Sequence, residues 1–555
     1  MDTPVRRRRW RRGVAIAAVV LAAAAAPVAS ATPLPGLSSL PALSIQPLPP
    51  PPTDPTLSRY IIMAPAGTNP HSLLNTALLG STSGGFVADL TLINGLVADL
   101  TTAEVALLPA NTVTPDVQVL TQGMAAKGGP KPPPPPQLVN VFRQVTGASA
   151  VKGNTGQGIG VAVVDTGIAP LPDFDTRLKP GVDLSGEANP DPTRDGYGHG
   201  TFVAGLIAGN GASNSSYVGE APGANLYPVK VAGADGSTHV STLILGLQWI
   251  HDNPAGINVV NMSLGAAPVS PTLLNPLDQA VEVLWRSGFV VVTSAGNEGP
   301  ADGSVTSPGD DPLVVTVGAL DDKHTVSASD DTVPDFSSRG PTGYDGWWKP
   351  DLIAPGRSLV SVMPQVSTIR TEHPEGAVGT LNFVGSGTSF SAAVTSGAAA
   401  MLLHENTAAK PDNVKAALLT TTNVGPGTQH DPFEQGHGVL NVAKAVAEPV
   451  VTMTQSVAGI PVPSLGTGIP LIDTQIVSTW ATVDAVEQLL YPQSYPFPYS
   501  GPATTTSLFQ SAEWNSSEWN SKAWNGKAWN SKAWNGATWN SKAWNDAQWN
   551  GATWS

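Results

Sequence analysis

"GIGVAVVD" (residues 158–165) is apolar or glycine up to Val164 and then stops on an acid, Asp165. It does not alternate, so it offers no polar face to water. A strand of this kind is buried on both sides, as parallel strands beneath helices are. Four more such runs follow: "NLYPVKV" (225–231), "INVVNMSL" (257–264), "FVVVTSAGN" (289–297) and "LVVTVGA" (313–319). Between them, "HVSTLILGLQWIHDN" (239–253) and "NPLDQAVEVLWRSG" (275–288) carry helical periodicity. Strands alternating with helices predict the α/β class, with a doubly wound, mainly parallel sheet over 138–450.

In such a sheet, functional groups gather beyond the carboxyl ends of the strands. Asp165 stands there, with Gly167 allowing the turn after it. Asn297 ends the fourth run. His199 lies between Gly198 and Gly200 in "DGYGHGTFVAGLIAG" (195–209), where glycines let other backbone approach the ring. Ser389 lies in "GSGTSFSAAV" (385–394), ahead of a helix of small residues. Singly, each has an ordinary reading: Asp165 and Ser389 as helix caps, Asn297 as a turn residue, His199 as a structural or exposed side chain.

Together they make a chemical set. A serine hydroxyl is a weak nucleophile and needs a base beside it. Imidazole, with a reference pKa of about 6.5, suits that task. A carboxylate on the other ring nitrogen fixes the tautomer and stabilises the imidazolium. The oxyanion of the tetrahedral intermediate then needs donors, for which the Asn297 amide and the Ser389 backbone N–H are candidates. A helix N-terminus at Ser389 adds a favourable field for negative charge.

In the order Asp165, His199, Asn297, Ser389, and in the local motifs around them, the chain resembles the subtilisin-like serine proteases. The matching stretches are "VAVVDTGI" (161–168), "GHGTFVAG" (198–205), "SAGN" (294–297) and "GTSFSAA" (387–393); "NMSLG" (261–265), "FSSRGP" (336–341) and "KPDLIAPG" (349–356) are also familial. The resemblance covers about 140–447 and implies a serine endopeptidase acting on polypeptides. It implies that Ser263, Leu264 and Gly265 form one wall of the substrate groove and bind peptide backbone like an added strand. It also implies that Ser294, Ala295 and Gly296 line the opposite wall of a primary pocket open to a large apolar side chain. Two positions depart from the family pattern: Phe390 stands where Met is usual and Ala393 where Pro is usual. The 92 residues from Asn297 to Ser389 imply an insertion within 321–380, read as a surface loop. The chemistry requires no cofactor and no catalytic metal. Calcium sites are frequent in the family, and the resemblance leaves room for a structural calcium without assigning ligands to it.

Three rival functions fit the sequence less well. An inactive surface-binding relative is disfavoured by the intact set of acid, base, nucleophile and donor. An α/β-hydrolase esterase would place Ser before Asp before His with a G-x-S-x-G elbow, whereas the order here is reversed. A zinc protease is disfavoured because no H-E-x-x-H occurs.

The flanks divide into further segments. Residues 1–31 join a patch of six arginines to an alanine-rich run ending in "ASA", a secretory signal with a cut after Ala31. Residues 32–58 are a proline-rich spacer. Residues 59–121 read as a small α+β unit, with "RYIIMAP" a strand, "NPHSLLNTALL" a helix and "TTAEVALLPANTV" a capped second helix. This unit resembles the propeptide of the same proteases, implying an intramolecular inhibitor and folding aid. Residues 122–137 hold glycines and five consecutive prolines and read as a cleavable linker, with maturation somewhere in 115–140. Residues 451–511 form an extension without clear periodicity. From Trp514 to Trp554 nine tryptophans recur every five residues, a period that fits neither helix nor strand. This low-complexity tail over 512–555 resembles those of some actinobacterial exported proteins. It has two readings, attachment to cell-wall glycan and contact with nothing specific. The formal charge of −14 argues against a nucleic-acid partner, and the absence of cysteine rules out disulfides.

Overall fold

The Val-rich runs form the strands of one sheet in the computed structural model, which describes residues 45–119, 139–427 and 431–447, with 66, 80 and 82 excepted. The described residues lie in a single compact unit. The expected signal (1–31), the linker at 122–137, the extension at 451–511 and the tryptophan repeats at 512–555 lie outside the described residues, as does 32–44 of the proline-rich stretch.

The strands are β6 (Gly160–Asp165), β7 (Val182–Asp183), β8 (Asn225–Lys230), β10 (Val259–Met262), β11 (Val290–Ser294), β12 (Val315–Leu320) and β13 (Leu352–Pro355). They run in the order β13-β12-β11-β10-β6-β8-β7, and every neighbouring pair is parallel. All residues of β6, β10, β11, β12 and β13 are buried, as expected of strands covered on both faces. The chain leaves β6 for β8 on one side and later returns to β10 on the other. The order therefore reverses beside β6, where a doubly wound sheet opens its crevice.

Helices α4 (His199–Ala208) and α8 (Thr388–Glu405) pack against each other, and α8 crosses β10 through β13. From Thr388 to Leu403 α8 is buried all round. Its small residues permit that: Ala392, Ala393 and Ala398 to Ala400 let the helix approach the sheet closely. Helices α5 (Val240–Asp252) and α6 (Pro276–Arg286) pack on each other, α5 against β6 and α6 against β11.

The N-terminal unit is a four-stranded antiparallel sheet, β2 (Gly85–Leu90), β3 (Gly95–Leu100), β1 (Ser58–Met63) and β4 (Val113–Pro115), with α1 (Pro70–Ala77) against it. The second helix expected over "TTAEVALLPANTV" is only one turn, α2 (Thr102–Val105). Its capping box is present, with Thr101 and Glu104 serving each other, but the chain then turns and enters β4. Pairing with β1 overrides the helical pattern there. This unit lies over α5 and α6, where Leu92 N–H donates to Gln248 Oε1 (3.2 Å). Its last described strand, β5 (Gln118–Val119), pairs antiparallel with β9 (Thr238–His239), just ahead of α5. The described part of the proline-rich stretch is fastened rather than loose. Ile45 and Leu48 pack on the main core, and Arg59 donates to the Pro49 and Pro50 carbonyls.

The surface loop expected within 321–380 is divided. Residues 322–331 form a partly exposed loop closed by mutual Asp321–Thr332 hydrogen bonds. The remainder folds as β14 (Leu359–Val362), β15 (Ala377–Val378) and β16 (Asn382–Gly385) around α7 (Thr368–Glu372).

Candidate active site

Asp165 ends β6 and is fully buried. Its carboxylate receives the Thr166 N–H (2.8 Å) and lies with both oxygens 2.9 Å from His199 Nδ1. His199, also fully buried, is the first residue of α4. The glycines around it do the work expected of them. Gly198 adopts φ +107°, and a Cβ on Gly200 would fall 2.2 Å from the Gly167 carbonyl and 3.1 Å from Asp165 Oδ1. Only a glycine lets α4 pass so close to the carboxylate.

What holds α4 there is Asp195, whose role the sequence reading did not assign. Its Oδ1 accepts from Gly198 N–H (2.7 Å) and Thr166 Oγ1 (2.8 Å), and its Oδ2 from Thr201 N–H (2.8 Å) and Thr201 Oγ1 (2.6 Å). Thr166 Oγ1 in turn accepts from Gly200 N–H (2.9 Å). The donors of the first turn of α4 are thus gathered on one buried acid and one hydroxyl. Burial pushes the Asp195 carboxyl up, against the pull of these hydrogen bonds. A buried Asp a few residues before a helical His, followed by a Thr at the third helical position, was the available signal.

Ser389 is not the cap of its helix. Gly387 takes that place, and Ser389 is the second residue of α8. Its Oγ donates to the Ser263 carbonyl (3.0 Å), and its carbonyl receives the Ser263 hydroxyl (2.7 Å). The end of β10 and the start of α8 are locked together further by Asn261, which donates to Ser263 Oγ (2.9 Å) and accepts from Ser396 Oγ (2.9 Å). Phe390 fills the space beneath: its ring centroid is 5.7 Å from that of His199 and 4.5 Å from that of Phe202. The aromatic ring at this departure from the family pattern therefore packs against the imidazole itself. Ala393, the second departure, is buried within α8.

Asn297 follows β11, and its Oδ1 accepts from the Thr388 N–H (2.9 Å) and the Thr388 hydroxyl (3.0 Å). With the oxygen turned to Thr388, the Nδ2 donor end faces the other way. Ser389 lies in the first turn of α8, whose backbone N–H groups point out past the N-terminal end of the helix with no acceptor within it. In the sequence the signal for Thr388 is its place beside Ser389 in "GTSFSAA".

The two expected groove walls converge on a residue that the sequence reading missed. Ser263 and Leu264 are buried, and Ala266 pairs with Ser307 through two 2.9 Å bonds. On the other side Ala295 accepts from Thr306 N–H (3.0 Å). A Cβ on Gly265 would meet Thr306 Oγ1 at 2.5 Å, and one on Gly296 would meet the Thr306 side chain at 2.9 Å. Thr306 therefore stands between the two expected walls, its side chain against both glycines. Ser294 ends β11 and leads into the second wall. Among the described residues no group of three His, Cys, Asp or Glu is placed to hold a metal ion.

Known proteins resemble this chain over the same region. Residues 156–438 match the subtilase family. The serine protease AprX of Bacillus subtilis is 42% identical over 300 residues, which is 53% of this chain and 67% of that protein. Subtilisin Savinase of Lederbergia lenta is 35% identical over 297 residues, 53% of this chain and 93% of that protein. Alkaline elastase YaB of a Bacillus species is 35% identical over 298 residues, 53% of this chain and 66% of that protein.

Proposed function

The chain belongs to the subtilase family and is a serine endopeptidase; on that premise we propose that Asp165, His199 and Ser389 are its catalytic triad, with Asn297 the side-chain donor to the oxyanion. The observation that carries this reading is the buried pair in which both Asp165 oxygens approach His199 Nδ1 at 2.9 Å. That contact demands the tautomer with the proton on Nδ1 and leaves Nε2 as the basic nitrogen. His199 then takes the Ser389 proton as Oγ attacks the peptide carbonyl. It returns the proton to the leaving amine, and the acyl-enzyme forms. A water molecule repeats the sequence and frees the acid product. Asp165 stays ionised throughout and stabilises the imidazolium. Asn297 Nδ2 and the Ser389 N–H donate to the tetrahedral oxyanion, which forms at the positive end of α8.

Ser263 to Gly265 and Ser294 to Gly296 are the groove walls in this reading, with Thr306 as the floor between them. The substrates are polypeptides. The chain is made as a zymogen whose N-terminal unit is its own inhibitor. Three contacts support this: β5 pairs with β9, Asp116 accepts from Ser241 N–H (2.9 Å) and Oγ (2.6 Å) at the start of α5, and Thr114, Pro115 and Val117 share a cavity wall with Ala266 and Ala267 beside the groove. The basic patch and alanine-rich run of 1–31 support secretion. The tryptophan repeats support attachment to cell-wall glycan, because exposed aromatic rings stack on sugars. A structural calcium is compatible with this function.

A serine-directed fluorophosphonate tests the central assignment. The chain freed of its N-terminal unit is expected to be labelled at Ser389 and to cut casein, and Ser389→Ala to do neither. Absence of label on the freed wild-type protein would refute the assignment and favour an inactive, surface-binding role.

A further inference from the structure

Behind the floor of the groove lies a group of acids that the proposed chemistry does not use. Asp278 and Glu282 come from α6, and Asp310 and Asp311 from the loop that continues from Thr306; all four are almost fully buried. Asp278 Oδ1 accepts from Ser307 Oγ (2.7 Å), which itself accepts from Asn275 Nδ2 (3.0 Å). Asp311 Oδ1 accepts from the N–H groups of Leu313 (2.8 Å) and Val314 (3.3 Å). With every carboxyl ionised, Asp278 Oδ2, Asp310 Oδ1 and Asp311 Oδ2 are buried without a hydrogen-bond donor. Glu282 meets Asp311 carboxyl to carboxyl, an approach that requires a proton between them.

The surrounding cations do not neutralise the group. Arg286, partly exposed, pairs with Glu282. Lys349 and Lys415 face the cluster from the other side, but both are drawn to Asp351 (2.7 and 3.3 Å). Asp345, which accepts from Thr272 N–H (2.8 Å), adds a further acid. Four buried carboxylates in one place, only Glu282 of them paired with a cation, are untenable when all are ionised. A cation or protons must relieve them, and no three of these acids are placed to hold a metal.

We propose that Asp278, Glu282, Asp310 and Asp311 share protons that clamp the loop from Thr306 to Asp311 against α6, and that alkaline loss of those protons loosens the floor of the substrate groove before the domain unfolds. The inference takes the groove itself from the proposed function. The loop is tied at both ends of the clamp: Ser307 bonds Asp278 and pairs with Ala266, and Asp310 N–H donates to the Thr306 carbonyl (3.1 Å). The energetics agree. Burial first, then mutual repulsion, pushes Asp278 and Asp310 well above the usual carboxyl range, and pushes Glu282 up to about 8. A carboxyl raised in the folded state contributes stability that is present below its unfolded pKa and lost as pH rises through its folded value.

The test uses the full chain carrying Ser389→Ala, so that it cannot cut itself. Infrared spectroscopy in heavy water is expected to show a protonated-carboxyl carbonyl band at pH 7 that fades with a midpoint near 8. Its thermal midpoint is expected to fall as pH rises from the ordinary carboxyl range to about 8, and Asp310→Asn or Asp278→Asn, which removes one of the repelling charges, to make that fall shallower and move its upper end downward by about one pH unit. In active enzyme, KM is expected to rise over this range ahead of any loss of kcat. The proposal is overturned by absence of the band at pH 7, or by an identical alkaline fall in parent and variants. A calcium-saturable rise in thermal midpoint that both variants abolish also overturns it, since a cation would then hold the cluster. The infrared and thermal readouts need no catalysis, so a failed triad assignment leaves them interpretable.

Discussion

Replacing Thr388 by valine isolates the proposed oxyanion donor, the Asn297 amide, from everything else at the site. The Thr388 hydroxyl donates to Asn297 Oδ1 (3.0 Å) and accepts from Gly296 N–H (3.2 Å). Thr388→Val removes both contacts and keeps the branched shape. The backbone N–H of residue 388 still reaches Asn297 Oδ1 (2.9 Å), so the amide remains half held. One neutral hydrogen bond is worth about 1 kcal/mol, which lowers kcat by about fivefold. Complete loss of the donor in Asn297→Ala belongs in the range of about 10²–10³-fold known for this family. Gly296 N–H, stranded without its acceptor, costs about 1–3 kcal/mol of stability and is read separately as a lower thermal midpoint. Steady-state kinetics on a peptide substrate should place the catalytic loss in kcat, because the oxyanion exists only in the transition state. In an Asn297→Ala background the same substitution should cost nothing further in kcat. An equal loss in both backgrounds, or a loss confined to KM, would show that Thr388 does not act through the Asn297 amide.

Asp195→Asn leaves one acceptor oxygen for four donors and turns a donor toward two others; stability should fall by about 2–6 kcal/mol in thermal unfolding, with kcat reduced more than KM is raised because the entry of α4 carries His199. Thr306→Gly should deepen the groove floor and raise kcat/KM for a large apolar residue relative to alanine before the cut by about tenfold or more, read on paired peptides. Glu220, buried and bonded by Thr146 Oγ1 (2.6 Å), is pushed by burial up to about 7. Its contribution is therefore complete below its ordinary value and lost as pH rises through 7, an effect of about 3 kcal/mol, and Glu220→Gln should flatten the fall in thermal midpoint between pH 5 and 8.

The sheet was legible because its strands leave no alternative. A run such as Val290 to Val292 has no polar face to present, and a Val-rich segment that leads into a glycine turn, here at Gly296, reads as a parallel strand. The N-terminal unit was less so. "TTAEVALLPANTV" carries a true capping box, and its apolar spacing fits a helix. Yet Val113 to Pro115 are claimed by β1 at Tyr60 to Ile62, a pairing with residues some fifty positions away. Local pattern cannot weigh a partner so distant, and the helix ends after one turn.

A related contrast separates the groups proposed to react from those that hold them. Asp165, His199, Asn297 and Ser389 each stand where a strand or helix of obvious pattern begins or ends, so topology alone delivers them to one crevice. Asp195, Thr388 and Thr306 are neighbours of these landmarks but have no pattern of their own. Their importance lies in which way a side chain turns after the backbone is set: Thr388 toward an amide ninety-one positions earlier, Thr306 into the gap left by two glycines. Such roles follow from satisfying every buried donor and filling every space, conditions that belong to the folded whole. The acids behind the groove floor extend the same logic. Asp310 and Asp311 look like turn residues in the chain, and only their convergence with Asp278 and Glu282 from α6 turns ordinary loop carboxyls into a problem that protons must solve.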